Sequence, residues 1–185
     1  DVNEGGTITD ITFEIDNGKT KEAGSGLPVV ITYSTTDGTA TSGGADPYDD
    51  YTALTNETAT IPVGQTQTTI SVVTEPDDYD EDNETIIITI NSATNATIGG
   101  DNVQTLTIND QDNPPTISFS SDEYNVAEEI TAGELTVTLT GGSEKTIIVP
   151  YAVTDGGTAT PGGSEDFVFT DANIPSVFLK SILKK

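Results

Sequence analysis

The chain has 185 residues, 31 acidic against six basic, and a formal net charge of -25. Phosphate backbones would repel such a surface, which excludes nucleic acid as a partner and leaves cations or basic surfaces. With no Cys and no His, thiolate metal sites, disulfides and the usual general bases are also excluded, leaving carboxylates, hydroxyls and Lys for any chemistry.

Along the chain, short Thr-, Ile- and Val-rich runs recur between clusters of Gly, Asn and Asp: TITDITFEI, LPVVITYST, TTISVVT, TIIITI and VQTLTIND. Each has the length of a strand, several alternate in polarity, and none keeps a helical period. The fold class is therefore all-β, in the form of a sandwich. No apolar run approaches the roughly 20 residues of a membrane-spanning helix, so membrane insertion is not expected. Because Asp1 follows neither an initiator Met nor a signal peptide, the sequence reads as a processed chain or a fragment.

Between the third and fourth predicted strand comes TEPDDYDEDNET, residues 74–85, whose acids crowd the lead-in to a buried run. Asp78, Asp80, Asp82 and Glu84 imitate the start of an EF-hand loop, but Asn83 stands where its Gly belongs and Thr89 where its bidentate Glu belongs, so an EF-hand is excluded. Asn56, Asn83 and Asn95 each open an N-x-Thr sequon, and Asn83 is the poorest acceptor because it lies inside the acidic loop.

The chain also repeats itself. VVITYSTTDGTATSGG (29–44) returns as IIVPYAVTDGGTATPGG (147–163), and DVNEGGTITDITF returns more weakly as NVAEEITAGELTVTL (125–139). The repeat predicts two tandem units, 1–112 and 113–185, with Pro114 and Pro115 stiffening the connection. Unit 2 has a strand-like TISFSSDEY before its repeat element, whereas unit 1 starts without one; unit 2 stops before any acidic loop or closing strands. Unit 1 is thus expected to lack its first strand and unit 2 its last.

In unit 1 the succession VNEGG, ITYSTTDGTATSGG, DDYTAL, TIPVGQTQTTISV, EPDDYDEDNET and TLTINDQD resembles the Calx-beta domain family. The resemblance implies an immunoglobulin-like sandwich of about seven strands with calcium ions held at one end by carboxylates from separate loops. Carried over by position, it implies Glu4, Asp37, Asp77, Glu81, Glu84, Asp110 and Asp112 as ligands in unit 1, and Glu128 and Asp155, with Asp166 as a further candidate, in unit 2. Gln111 stands where family members often carry a third consecutive Asp, which weakens one ion position. Without the resemblance, the acid run would read as a solvated face, and Asp37 and Asp155, each followed by Gly, as turn residues. Oxygen-only donors agree with calcium and disagree with zinc or copper.

The expected function is a non-enzymatic, calcium-stiffened module of an extracellular fibre or adhesin stalk. The absent first strand invites donor-strand addition, making a homo-oligomer or head-to-tail filament. The basic, apolar tail PSVFLKSILKK is the candidate donor, through Val177, Phe178, Leu179, Ile182 and Leu183. Two other readings are a carbohydrate- or protein-binding adhesin domain and, far behind, a carboxylate glycosidase.

Overall fold

The computed structural model describes residues 1–15, 24–43, 49–123, 125 and 136–150. Glu128, Asp155, Asp166 and the candidate donor residues Val177, Phe178, Leu179, Ile182 and Leu183 lie outside the described residues. The chain divides into two compact units, Asp1–Asp112 and Asn113–Lys185. Every regular element among the described residues is a strand.

Unit 1 contains β1 (Val2–Asn3), β2 (Thr7–Glu14), β3 (Val29–Asp37), β4 (Glu57–Ile61), β5 (Gln67–Val73), β6 (Tyr79–Asp80), β7 (Glu84–Thr94) and β8 (Val103–Asn109). Five of them form one sheet in the order β1-β8-β7-β3-β4, with β1 parallel to β8 and the other neighbours antiparallel. β2 pairs antiparallel with β5 as a separate ladder. All the runs read as strands in unit 1 form strands. β4 and the two-residue β1 and β6 were not among them, because pieces this short and polar carry too little alternation to stand out.

Alternation of side chains along each strand builds the core. In β3, Val29, Ile31, Tyr33 and Thr35 are buried while Val30, Thr32 and Ser34 face outward; in β7, Ile86 and Ile88 are buried between partly exposed neighbours. Ile11, Phe13, Ile70 and Val72 supply the opposing layer from the β2–β5 ladder. Phe13 meets Tyr33 edge to face across the layers, with ring centroids 5.2 Å apart. The result is a two-layered β-sandwich with an aliphatic core.

The register brings one set of strand ends together. Asp37 at the end of β3 lies opposite Ile86 near the start of β7, Glu84 lies opposite Ile108, and Val2 lies beside Ile108. Thr7 at the start of β2 faces Val73 at the end of β5. The connections that join these ends carry Glu4, Asp77, Glu81, Asp110 and Asp112, while Asp37 and Glu84 sit at the strand ends themselves.

In unit 2, β9 (Thr116–Phe119) pairs antiparallel with β10 (Val137–Thr140), and a two-residue β11 (Gly142–Ser143) follows. Among the described residues, β2 has no partner on the edge away from β5. β10 ends the repeat element that β2 ends in unit 1, so the β9–β10 pair stands in unit 2 at the place of the β2 edge that has no partner among the described residues.

Candidate metal centre

Four connections of unit 1 converge at the acidic tip: the turn between β1 and β2, the segment leading to Tyr51, the acidic loop around β6, and the segment after β8. Two glycines allow the close approach. Gly5 has a φ of +63° and a side chain there would strike Cβ of Pro76 at 2.9 Å; its N–H donates to the carbonyl of Glu75 at 3.3 Å. Gly38 runs so near the carbonyl of Thr85 that a Cβ would meet it at 2.4 Å, and its N–H donates to that carbonyl at 3.1 Å. Thr74, almost fully buried, ties the layers by donating its hydroxyl to the carbonyl of Asn3 at 3.0 Å and accepting from the N–H of Gly6 at 2.9 Å.

Two carboxylate groups result. Glu4, Asp110 and Asp112 bring one oxygen each within 4.8 Å of one another, and so do Asp50, Asp77 and Glu81. Backbone amides hold several of these carboxylates. The N–H of Asp77 donates to Oε1 of Glu4 at 2.6 Å, that of Glu81 to Oδ2 of Asp110 at 3.2 Å, that of Asp112 to Oδ1 of Asp110 at 2.9 Å and that of Tyr79 to Oδ1 of Asp77 at 2.7 Å. The first two bonds join the groups, because each runs from a loop of one trio to a carboxylate of the other. Asn83 braces the same region: its Oδ1 accepts from the N–H of Asp110 at 3.2 Å and its Nδ2 donates to Oδ1 of Asn109 at 3.2 Å.

Two carboxyl groups at the tip, Glu4 and Asp77, sit where charge is disfavoured. Burial pushes the Glu4 carboxyl above the ordinary range, the charges of Asp77 and Asp112 push the same way, and the amides of Asp77 and Gln111 partly offset them. Burial also raises Asp77, with the charges of Asp112, Asp50 and Asp110 adding to it against the amide of Tyr79. Carboxyl groups raised in this way, as Glu4 and Asp77 are, are ones whose charge a hard, oxygen-seeking cation would compensate.

Of the candidate ligands implied by resemblance, Glu4, Asp110 and Asp112 come together in one group and Asp77 and Glu81 in the other. Asp37 and Glu84 belong to neither. The Oδ1 of Asp37 accepts from the hydroxyls of Tyr51 at 2.7 Å and Ser42 at 2.9 Å, a local turn-fixing role that agrees with its place before Gly38. Asp50 was missed. It is buried, its Oδ2 accepts from the N–H of Thr41 at 2.6 Å and from the Thr41 hydroxyl at 3.2 Å, and it completes the second trio. The only sequence signal was its place in DDYTAL, where the core residue Tyr51 fixes the neighbouring backbone. Of the sequons, Asn56 and Asn95 are exposed with φ of 53° and 62°, in the left-handed region that Asn tolerates.

The donor set, six carboxylates without nitrogen or sulfur, fits a hard divalent cation. No helix among the described residues is long and apolar enough to cross a membrane. The chain is 29% identical over 157 residues to the sodium/calcium exchanger 1 of Bos taurus, covering 75% of this chain and 15% of that protein. Against the sodium/calcium exchanger 3 of Homo sapiens it is 28% identical over 158 residues, covering 74% and 16%. This chain therefore spans about 15% of the length of these relatives. A crystal structure of CBD12 from CALX1.2 superposes with a TM-score of 0.49 at 20% identity, covering 74% of this chain and 52% of that one. The apo-form Calx CBD1 domain gives a TM-score of 0.41 at 22% identity, covering 46% and 72%. The sequence model of the Calx-beta domain matches twice in succession, over residues 2–112 and 110–174, and the chain belongs to the Calx-beta domain family.

Proposed function

We propose that this chain is a calcium-binding structural module, without catalytic activity, of an extracellular fibre or adhesin stalk. The observation that carries the calcium assignment is the convergence of two carboxylate trios from connections as far apart in sequence as Glu4 and Asp112, with carboxylate oxygens within 4.8 Å inside each group. Calcium accepts six to eight oxygens at about 2.3–2.6 Å in irregular geometry, so loops from distant positions can share it. Glu4, Asp110 and Asp112 would hold one ion, and Asp50, Asp77 and Glu81 a second.

Two unit charges about 5 Å apart in water repel by roughly 0.8 kcal/mol, and the tip contains several such pairs. A bound cation reverses the sign, and the four connections then hold each other in place. In a stalk, that stiffness is the function: the tip lies at the end where unit 1 runs on into Asn113, Pro114 and Pro115. The extracellular location rests on the calcium reading, since weak calcium sites suit the high calcium found there.

Head-to-tail assembly by strand complementation completes the reading. Its support is the edge of β2, which has no partner strand among the described residues, whereas the corresponding strand of unit 2, β10, is paired with β9. The candidate donor is the tail 175–185, or the N-terminal segment of another copy.

Thermal unfolding and calorimetry with and without calcium test the first part. For a site with Kd near 10⁻⁴ M in about 1 mM calcium, each ion should add roughly 1.4 kcal/mol. Absence of heat uptake by folded protein, together with a melting curve that chelator leaves in place, would refute the calcium assignment. Deletion of residues 176–185 tests the second part; filaments that persist unchanged in electron micrographs rule the tail out as donor.

A further inference from the structure

We infer that the outer face of the five-stranded sheet of unit 1 is a lateral contact surface for a second copy of this chain. The strands of that sheet contain three acids, Glu57, Asp37 and Glu84, and all three sit at positions of inward parity: their cross-strand partners are Tyr33, Ile86 and Ile108, each buried. The opposite parity carries no charge. Thr58 pairs with Thr32 and Thr32 with Ser92 in one row; Thr36 pairs with Ile87 and Ile87 with Thr105 in another; Thr85 pairs with Thr107 in a third.

A chain with a net charge of -25 would scatter acids over any surface left to chance. Here a whole sheet face is neutral, hydroxylated and methylated. The charge decides the occupant. Two copies of so acidic a chain repel wherever carboxylates meet, and this face is where they can approach without opposing charges. Thr–Thr rows also complement themselves, since each hydroxyl both donates and accepts, which suits a two-fold contact in which the same patch appears on both sides. A sugar ligand would call for an aromatic platform, and these rows contain no aromatic residue.

The size of the face sets the strength. Four strands about 4.8 Å apart and some six residues long present roughly 400 Å² per copy, well under the roughly 800 Å² per partner of a standard stable interface. One such contact is therefore weak, and repetition along a tandem chain would strengthen it through effective concentration. The contact involves neither the acidic tip nor the edge of β2, so it stands apart from the calcium and strand-exchange readings.

Sedimentation velocity of the full chain from about 10 μM to 1 mM, in 0.5 M salt to screen the net charge, tests it, with runs in calcium and in chelator. Wild type should show concentration-dependent dimerisation in both. Thr58→Glu with Thr105→Glu, two exposed positions on the outer rows, should weaken it at least tenfold. Thr12→Glu, exposed on the β2–β5 ladder, should leave it unchanged. Melting curves matching wild type establish that the variants fold. A chain that stays monomeric throughout the range, or association that the double variant leaves intact, overturns the inference; so does association seen only with calcium, which would place the contact at the tip.

Discussion

The acidic tip and the outer sheet face of unit 1 are built from the same strands and have opposite chemistry. β3 presents Thr32, Ser34 and Thr36 along its outer side and Asp37 at its end; β8 presents Thr105 and Thr107 and runs straight into Asp110 and Asp112. On the outer side of this sheet the strands carry no charge, and the acids sit at strand ends and in the connections, because a carboxylate in mid-strand would meet its like across the ladder, whereas a loop can turn it toward solvent or a cation. The difference shows that a net charge of -25 is not an even coat. It is a concentrated feature beside a neutral one.

Removing what the two regions share should have the largest effect. Ile86 is fully buried under both, and Ile86→Ala should cost about 2–5 kcal/mol of stability and disturb tip and face together, as denaturant unfolding would register. Asp50→Ala should separate them. Losing the bonds from Thr41 should cost about 1–3 kcal/mol, and calcium affinity should fall while lateral association stays unaltered. If calorimetry finds the affinity of Asp50→Ala equal to wild type, the second trio is a structural brace and not a site.

Acidity offers a further separation. Glu4 and Asp77 have carboxyl groups raised in the folded chain, so between their unfolded and folded values the folded state binds more protons. In chelator, stability should therefore rise as pH falls through the raised folded values, and the gain should be complete near the unfolded ones, until other carboxylates protonate. In calcium the dependence should reverse, because protons compete with the ion. Melting curves over the carboxylate range in both conditions check the crossing. The smallest effect belongs to the face: Thr105→Glu should change stability by no more than about 0.5 kcal/mol and leave calcium binding alone.

The strands were legible wherever alternation ran for several residues. β3 shows buried and outward residues in strict succession, and β5 and β8 end with buried Ile70 and Val72 and with Leu106 and Ile108. β4 was not, because ETATI buries only Ile61 fully and owes its place to pairing with β3. The extra residue in β7 opposite the Thr32–Tyr33 step, which leaves Asn91 to donate to the hydroxyl of Ser34 at 2.7 Å, also has no local signature. At the tip, motif position was enough to find five of the six residues in the two trios. Asp50 escaped since its neighbours in sequence are another Asp and Tyr51, and its inward place is held by the two bonds from Thr41.

By itself the sequence determined an all-β chain in two repeats, its aliphatic core and the acidic character of its loops, because alternation, turn residues and charge are local properties. Tertiary structure alone decided which carboxylates share a site and which sheet face is free of charge. Both depend on register: a shift of one residue between β7 and β8 would exchange inward for outward side chains and move Glu84 from the core side to the neutral face.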